Sequence, residues 1–265
     1  MSSAHAGTGA LVTGGSQGLG LAICRQLIAE GCKRLVFTTR DTHKGDAVAT
    51  ELTDMGVDVH VLTLDMAEID KVQVMVKAAV DRIGPVNALV NCAANTDRGS
   101  ILDTTPEQWD AIVDVNAKAP FFALQGFARH CIEARHEGAA VNILSIVAHC
   151  GLPFLAPYAA SKAALVNITR NSANTLAKHR IRVNGINVGW MDTPGEDATQ
   201  KKWHDRPSGW LAEAEANMPF GKLVKPEDVA WQTAFLLGPR SGVVTGSVMD
   251  FDQQVVGAYP DTNAS

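Results

Sequence analysis

The chain has 265 residues, of which 46% are hydrophobic and 19% are charged, and its formal net charge is −5 at pH 7. This composition is typical of a globular protein with a large core, and the acidic balance excludes a basic surface for nucleic acid or an anionic membrane. No apolar run reaches the ~20 residues that a membrane helix needs, and the polar start "MSSAHAGTG" is no secretory signal, so we expect a cytoplasmic protein.

Seven short segments rich in branched residues alternate with segments of helical spacing. The strand-like segments are 9–13, 34–39, 57–64, 86–91, 139–145, 181–188 and 246–251. Apolar residues recur every three to four positions in 20–30, 71–83, 109–135 and 162–179. Strands separated by helices predict right-handed crossovers and a parallel sheet covered on both faces. Without a repeat or a flexible linker, we predict one doubly wound α/β domain over residues 1–265.

Two helix starts are marked by residue type. In "TTPEQW", Thr105 can cap the helix, Pro106 takes its first position and Gln108 completes a capping box. In "KPEDVA", Pro226 and the acids after it do the same. By contrast, 189–225 is polar and broken by proline, and it follows the sixth strand at the carboxyl edge of the sheet. We therefore predict an irregular substrate-binding loop over 189–225, and a tail over 252–265.

The five cysteines (Cys24, Cys32, Cys92, Cys131, Cys150) are scattered, with no CxxC motif and no pairing with histidine. This spacing indicates reduced thiols rather than a disulfide framework or a metal site.

The first turn between strand and helix, "TGGSQGLG" at 13–20, carries Gly14, Gly18 and Gly20. Glycines here let the backbone turn sharply and approach a pyrophosphate, which the amides of the helix N-terminus can then bind. The position of this loop, at the first crossover of an alternating chain, favours a dinucleotide site in a Rossmann-like fold.

A tyrosine and a lysine stand four residues apart in "YAASKAAL", which begins at Tyr158. This spacing places both side chains on one face of a helix, and the alanines between them leave room for a cofactor. An ammonium close by in a dry site favours the phenolate. We therefore expect Lys162 to lower the pKa of Tyr158, so that Tyr158 can exchange a proton with a substrate oxygen.

The glycine loop, Ser145 thirteen residues before Tyr158, and "YAASK" together resemble the short-chain dehydrogenase/reductase family over about residues 8–252. The resemblance implies hydride transfer between a nicotinamide and a carbon bearing oxygen, with Ser145 holding the substrate oxygen. It implies that Asn116 holds a water molecule joining Lys162 to solvent. The residues implied to bind the cofactor are Gly14, Ser16, Gln17, Gly18, Leu19, Gly20, Arg40, Asp65, Met66, Asn91, Ala93, Lys162 and Thr193.

The end of the second strand bears on the choice of cofactor. An acid there would select NAD, whereas this chain has Thr39 followed by Arg40, whose guanidinium can pair with a 2′-phosphate. We expect NADP to be preferred, with NAD possible because Asp41 is next to the arginine.

Three motifs depart from the family pattern beside the expected cofactor. "NCAA" replaces Asn-Asn-Ala-Gly, so that Ala94 lacks a glycine's freedom; Val188-Gly189 replaces Pro-Gly; and the terminal Asp-Gly-Gly becomes "DFD".

The substrate partner is less defined by the sequence. Trp203 and its polar neighbours, together with His149 and Asn95, suit a sugar, a polyol or another small polar carbonyl compound as the substrate. The predicted reaction interconverts a secondary alcohol and a ketone, or a lactol and a lactone. A 3-oxoacyl or other apolar carbonyl remains an alternative, as does a redox-silent dinucleotide-binding sensor, although such a sensor would need no Ser145, Tyr158 or Lys162. The family resemblance also implies a homo-oligomer, either a tetramer or a dimer.

Overall fold

The fold is taken from a computed structural model that describes residues 3–149 and 151–258. Its strands are β1 Gly9–Val12, β2 Arg34–Thr39, β3 Asp58–Thr63, β4 Ala88–Asn91, β5 Gly138–Ser145, β6 Ile181–Val188 and β7 Val248–Phe251. They pair in parallel in the order β3-β2-β1-β4-β5-β6-β7. The predicted doubly wound sheet is confirmed. The order reverses between β1 and β4, and the connections that follow these two strands leave in opposite directions, which opens a crevice at their carboxyl ends.

Nine α-helices are present in the described ranges, and they cover both faces of the sheet. They are α1 Gly18–Ala29, α2 Thr42–Asp54, α3 Ile69–Ile83, α4 Pro106–Val113, α5 Ala119–Glu133, α6 Ala156–Leu176, α7 Pro194–His204, α8 Trp210–Ala216 and α9 Pro226–Leu237. Helix α2 was not predicted, because its buried face consists of only Gly45, Val48 and Leu52, a stripe too thin for the pattern to reveal. Among the residues described, no helix combines the length and the apolar character needed to cross a bilayer.

Two hydrophobic clusters hold the layers together, one on each face of the sheet. One cluster joins α1 and α9 to the sheet through side chains such as Ile23, Leu27 and Val229. The other joins α3 and α5 through Met75, Phe127 and their neighbours. Because both faces are buried, the strands are apolar on both sides, which explains why the sequence shows them as nearly continuous apolar runs.

The prediction of an irregular loop over 189–225 is wrong, because this region contains the helices α7 and α8. Thr193 caps α7 by accepting a hydrogen bond from the Glu196 amide at 3.0 Å, and Pro194 occupies the first turn, the same signals that mark α4. Trp210 is 4% exposed and packs with Leu223 in a small third cluster. We call residues 190–224 the α7–α8 segment.

The long helix predicted over 109–135 is interrupted. Residues Asp114–Lys118 form one π-helical turn between α4 and α5, and π turns often occur at functional sites. The Thr105 cap is confirmed, since Thr105 accepts from the Gln108 amide at 3.3 Å. The Gln108 side chain, however, donates to the carbonyl of Arg98 at 2.6 Å and does not complete a capping box.

Candidate active site

The glycine loop borders a cleft of about 1660 Å³ at the carboxyl edge of the sheet. Gly14 and Gly18 have φ angles of +71° and +50°, which nonglycine residues adopt rarely. A Cβ on Gly20 would lie 2.2 Å from the Gly14 carbonyl oxygen, so only glycine permits the tight packing of the loop on α1. This backbone cradle at a helix N-terminus fits the pyrophosphate of a dinucleotide.

Most of the predicted cofactor residues line this cleft: Gly14, Ser16, Gln17, Gly18, Leu19, Gly20, Arg40, Asp65, Met66, Ala93, Lys162 and Thr193. The Ser16 hydroxyl bonds that of Thr39 at 2.9 Å, which ties the loop to the end of β2. The Asp65 carboxylate accepts a hydrogen bond from the Ala67 amide at 2.9 Å and therefore stabilises the turn that follows β3. Asn91 is an exception. It is buried below the cleft, where its Nδ2 donates to Oδ1 of Asn142 at 2.8 Å.

Arg40 is exposed at the rim of the cleft. It makes no hydrogen bond or ion pair with any residue in the described part of the chain. Its neighbour Asp41 caps α2, because the Asp41 carboxylate accepts from the Lys44 amide at 3.1 Å. The Asp41 carboxylate, whose charge the sequence places next to Arg40, is therefore bound at the N-terminus of α2.

Ser145, Tyr158 and Lys162 line the opposite wall of the same cleft. Ser145 ends β5, and Tyr158 and Lys162 lie one turn apart on α6. The Lys162 ammonium donates to the carbonyl of Ile143 at 2.8 Å and lies 5.7 Å from the centroid of the Tyr158 ring. The sheet and α6 thus bring together the three residues that the sequence singled out.

The expected lowering of the Tyr158 pKa is not what the geometry gives. Burial raises the pKa of Tyr158 to about 12, and the hydrogen bond with Ser145 opposes that rise only in part. Burial also lowers the pKa of Lys162 to about 8. Attraction between the two charges favours the ionised pair, but the cost of removing each charge from water is larger here and dominates both pKa values.

Asn116 lies in the π turn and is fully buried. Its Oδ1 accepts from the Asn95 amide and its Nδ2 donates to the Asn95 carbonyl, both at 2.8 Å. The Nδ2 also donates to the Ser161 hydroxyl at 3.1 Å. Its amide therefore pins the chain after β4 to α6, the helix that carries Tyr158.

The predicted substrate residues are distributed differently from expectation. Asn95 lines the cleft, whereas Trp203 and His149 are not among its lining residues. Trp203 is 39% exposed, with the Lys202 ammonium 4.5 Å from its ring centroid. His149 bonds the Asp250 carboxylate at 2.8 Å, because the strand pairing of β6 with β7 places that carboxylate beside it.

Two charged residues of the cleft wall escaped sequence reasoning. Arg98, in the loop after β4, donates from Nε to His204 Nε2 at 3.3 Å. Glu196, in the first turn of α7, accepts from Trp190 Nε1 at 2.8 Å and from Gln200 Nε2 at 2.6 Å. Glutamate in a first helical turn is a recognisable signal, but nothing local marks Arg98, whose partner is 106 residues away.

The departures from the family pattern cause no backbone strain. In the part of the chain that the structure describes, the nonglycine residues of positive φ are Arg135, Arg180 and Asp205, and Ala94 is not one of them. In the tail, Asp252 lines the cleft and packs so closely on Gly189 that a Cβ there would lie 2.2 Å from its carboxylate oxygen. Residues 259–265 of the predicted tail lie outside the described residues, and so does Cys150.

Comparison with known proteins agrees with this geometry. A family model described as "short chain dehydrogenase" matches residues 8–204. The chain is 30% identical over 240 residues to the 3-oxoacyl-[acyl-carrier-protein] reductase FabG of Staphylococcus aureus, covering 91% of this chain and 94% of the relative. It is 34% identical over 242 residues to an uncharacterized oxidoreductase of Thermotoga maritima, covering 90% and 91%.

A solved structure extends the comparison to the fold. A variant of the actinorhodin polyketide ketoreductase, crystallised with NADPH, superposes with a TM-score of 0.85 at 30% identity, covering 95% of this chain and 97% of that one. The family match over residues 8–204, together with these relatives, shows that the chain belongs to the short-chain dehydrogenase family of NAD(P)-dependent oxidoreductases.

Proposed function

We propose that this protein interconverts a ketone and a secondary alcohol, or a lactone and a lactol, with NADP(H), and that its substrate is a small polar carbonyl compound. The observation that carries the proposal is the convergence of Ser145, Tyr158 and Lys162 on one wall of the cleft, opposite the glycine loop. A nicotinamide dinucleotide, when bound in this cleft, supplies or accepts the hydride. The protein supplies the orientation and the proton.

In this proposal Tyr158 is the proton donor for reduction. With a pKa of about 12, its phenol stays protonated at neutral pH and can give its proton to the carbonyl oxygen as that oxygen gains charge. Ser145 holds the same oxygen by hydrogen bonding. In the direction of oxidation Tyr158 must lose its proton first, so we expect the oxidation rate to rise with pH.

Lys162 and Asn116 support that proton transfer in the proposal. The Lys162 ammonium is anchored on the Ile143 carbonyl and faces the Tyr158 ring, so it stabilises the phenolate left after the proton departs. Asn116 acts as a positioning residue, because its amide fixes the chain at Asn95 against α6.

The preference for NADP(H) rests on Arg40. Its guanidinium is at the rim of the cleft, at the end of β2, with its donors available to a 2′-phosphate. The adjacent acid, Asp41, is occupied as the cap of α2. The ketoreductase with NADPH supports this assignment by similarity.

A 3-oxoacyl substrate is the second candidate, because the Staphylococcus aureus relative is a 3-oxoacyl-[acyl-carrier-protein] reductase.

We also infer that the protein acts as a homo-oligomer in the cytoplasm. Trp231 and Phe235 of α9 are 69% and 43% exposed, and large exposed apolar residues on one helix are typical of an interface.

The test follows nicotinamide absorbance for NADPH and NADH with sugars, polyols, small ketones and 3-oxoacyl thioesters. We expect turnover with NADPH, and a loss of about 10²–10⁴-fold in kcat for Tyr158→Phe with an unchanged NADPH dissociation constant. Turnover that Tyr158→Phe leaves intact would refute the catalytic assignment. Tight NADPH binding with no turnover of any class would favour the sensor alternative.

A further inference from the structure

The Arg98 guanidinium is held in place at the substrate side of the cleft. Its Nε donates to Nε2 of His204 at 3.3 Å, and one terminal nitrogen donates to the Thr96 carbonyl at 3.0 Å. The guanidinium carbon lies 5.6 Å from the centroid of the Phe154 ring, whose face attracts a cation. Gln108 fixes the backbone of Arg98 by donating to its carbonyl at 2.6 Å. The side chain is therefore preorganised before any ligand arrives.

This guanidinium has no acidic partner among residues 3–149 and 151–258. The carboxylates nearest in the cleft wall and around it are engaged elsewhere. Asp97 pairs with Lys202 at 3.0 Å, and Glu213 pairs with Arg206 at 3.4 Å. Glu196 accepts from Trp190 and Gln200. The bonds to His204 and Thr96 use two of the five donors of Arg98, so one edge of the fork remains available to a ligand.

His204 holds the guanidinium in place from its Nε side. Because its Nε2 accepts from Arg98, its proton must be on Nδ1. Burial and the neighbouring Arg98 charge both lower the pKa of His204, so the ring stays neutral. Its ring packs edge-to-face on Phe154, with the centroids 5.1 Å apart, which fixes its direction. Neutral His204 thus orients the Arg98 guanidinium without adding a second positive charge at this place.

Arg98 and Tyr158 line the same cleft, together with Phe154 and His204. Two charges of the cleft wall act on the phenol: Glu196 raises the pKa of Tyr158 further above its usual range, and Arg98 lowers it. A group bound to Arg98 would therefore belong to the molecule whose carbonyl faces Tyr158. A fixed cation without an acidic partner, in the cleft that also holds the proton donor, is complementary to an anion on the substrate.

We propose that Arg98, positioned by His204, binds a carboxylate of the substrate, so that the enzyme acts on a small oxo acid or hydroxy acid. A planar fork of N–H donors matches a carboxylate in bidentate geometry. This proposal rests on the proposed function and narrows it, because a neutral sugar would leave Arg98 without a counter-charge in a partly closed site. In this assignment Arg98 is a specificity-determining residue, and proton transfer remains with Tyr158.

The test compares acids with matched neutral compounds, using the enzyme with saturating NADPH. The pairs are acetoacetate with ethyl acetoacetate, and 5-keto-D-gluconate with D-fructose. For the wild type we expect kcat/KM to favour the acid of each pair. In Arg98→Gln the KM of the acids should rise about 10- to 100-fold, the loss of a charge-assisted hydrogen bond, while the neutral compounds change by less than about 3-fold.

Two further variants separate a specific site from a general effect of charge. Arg206→Gln removes a cation that lines the same cleft but is paired with Glu213, and it should leave the preference for acids nearly intact. Arg98→Lys keeps the charge but loses the fork, and it should fall between the wild type and Arg98→Gln. Equal losses in Arg206→Gln and Arg98→Gln would contradict the proposal.

The remaining outcomes distinguish this proposal from the proposed function. Turnover of the neutral compounds that needs Tyr158, without preference for or inhibition by the acids, would overturn the carboxylate site and leave the ketoreductase assignment standing. If neither pair is turned over, we would measure the binding of acetoacetate to NADPH-loaded Tyr158→Phe by calorimetry. Binding that disappears in the double variant Tyr158→Phe/Arg98→Gln would support the carboxylate site. Absence of binding to Tyr158→Phe would refute it. Stronger Arg98-dependent inhibition by inorganic phosphate than by acetate would also refute the carboxylate assignment. Failure of NADPH itself to bind would instead reject the proposed function.

Discussion

The glycine-loop side of the cleft is shaped by the backbone, whereas its other side is assembled from side chains distant in the chain. Gly14, Gly18 and Gly20 fall within seven consecutive residues, and each is required by a positive φ or a close approach. On the other side, Arg98 meets His204 and Asp97 meets Lys202 across separations of 106 and 105 residues. The first kind of site has a sequence motif, and the second has none.

This difference separates what the fold requires from what the individual enzyme selects. Replacing a glycine in the loop disturbs the packing of α1 on the sheet, so the loop cannot vary freely. Trp210, Ala214 and Leu223 of the α7–α8 segment form a small cluster of their own, whereas Met191 and Val224, at the ends of the segment, pack with the core cluster on the sheet. Side chains of α7 and α8 can therefore change with little effect on the sheet. Three variants, each with a matched control, test that separation.

The largest effect is expected for Trp210→Ala, which acts on the α7–α8 segment alone. Trp210 stacks on Trp190 with ring centroids 5.7 Å apart and donates to the Asp197 carboxylate at 2.9 Å. Removing a buried tryptophan costs about 3–5 kcal/mol, enough to unfold this segment locally. We expect hydrogen exchange of α7 and α8 to accelerate and the KM of the substrate to rise, with little change in β1 to β4.

Trp203→Ala is the matched control for that variant. Trp203 belongs to the same segment but is 39% exposed, and its contact with Lys202 contributes about 0.5–1 kcal/mol. Exchange protection should therefore stay close to that of the wild type. If the two variants loosen the segment equally, the small cluster around Trp210 is not what holds it.

A smaller but still strong effect is expected for Gly20→Ala on the other side. Its Cβ would lie 2.2 Å from the Gly14 carbonyl oxygen, so the loop must shift, at a cost of about 1–3 kcal/mol. We expect the NADPH dissociation constant, measured by fluorescence, to rise roughly 10- to 100-fold. Gly7→Ala, where a Cβ meets nothing within 4 Å, should bind NADPH normally. Unchanged binding in Gly20→Ala would show that the cradle tolerates displacement.

The smallest effect is expected for Arg40→Gln, which tests a side chain on the backbone-shaped side. An exposed charge-assisted contact contributes about 1.5 kcal/mol, so the KM for NADPH should rise about 10-fold while that for NADH stays constant. Arg25→Gln removes an exposed arginine that pairs with Glu51 at 2.7 Å on another surface, and it should alter neither value. A parallel loss for NADPH and NADH would assign Arg40 a role other than recognising the 2′-phosphate.

The fold could be predicted nearly completely because each strand is a compact apolar run between helices. All seven predicted strands are present, and their bounds differ from the prediction by at most two residues at either end. The convergence of Ser145 and Tyr158 could also be predicted, since β5 and α6 end and begin at the same edge of the sheet. Helix α2 was missed because few of its residues are buried.

Two of the remaining errors have a common physical origin, which is that they depend on neighbours distant in sequence. His149 was expected near the reacting carbon, but its partner Asp250 comes from β7, 101 residues later. The pKa of Tyr158 depends on burial by surrounding elements, which four-residue spacing cannot show. The polarity of 189–225 suggested a loop because the apolar contacts of α7 and α8 are few and largely internal.

Helix α7 belongs to both sides of the cleft. Thr193, expected to touch the nicotinamide, caps its first turn, and His204, which positions Arg98, is its last residue. Its 11 residues span about 16 Å as one rigid rod. If Thr193 and Arg98 bind as proposed, the two ligands would meet opposite ends of this helix, and we expect binding of one to alter the affinity for the other. Such coupling is reciprocal, so each ligand changes the affinity of the protein for the other by the same factor.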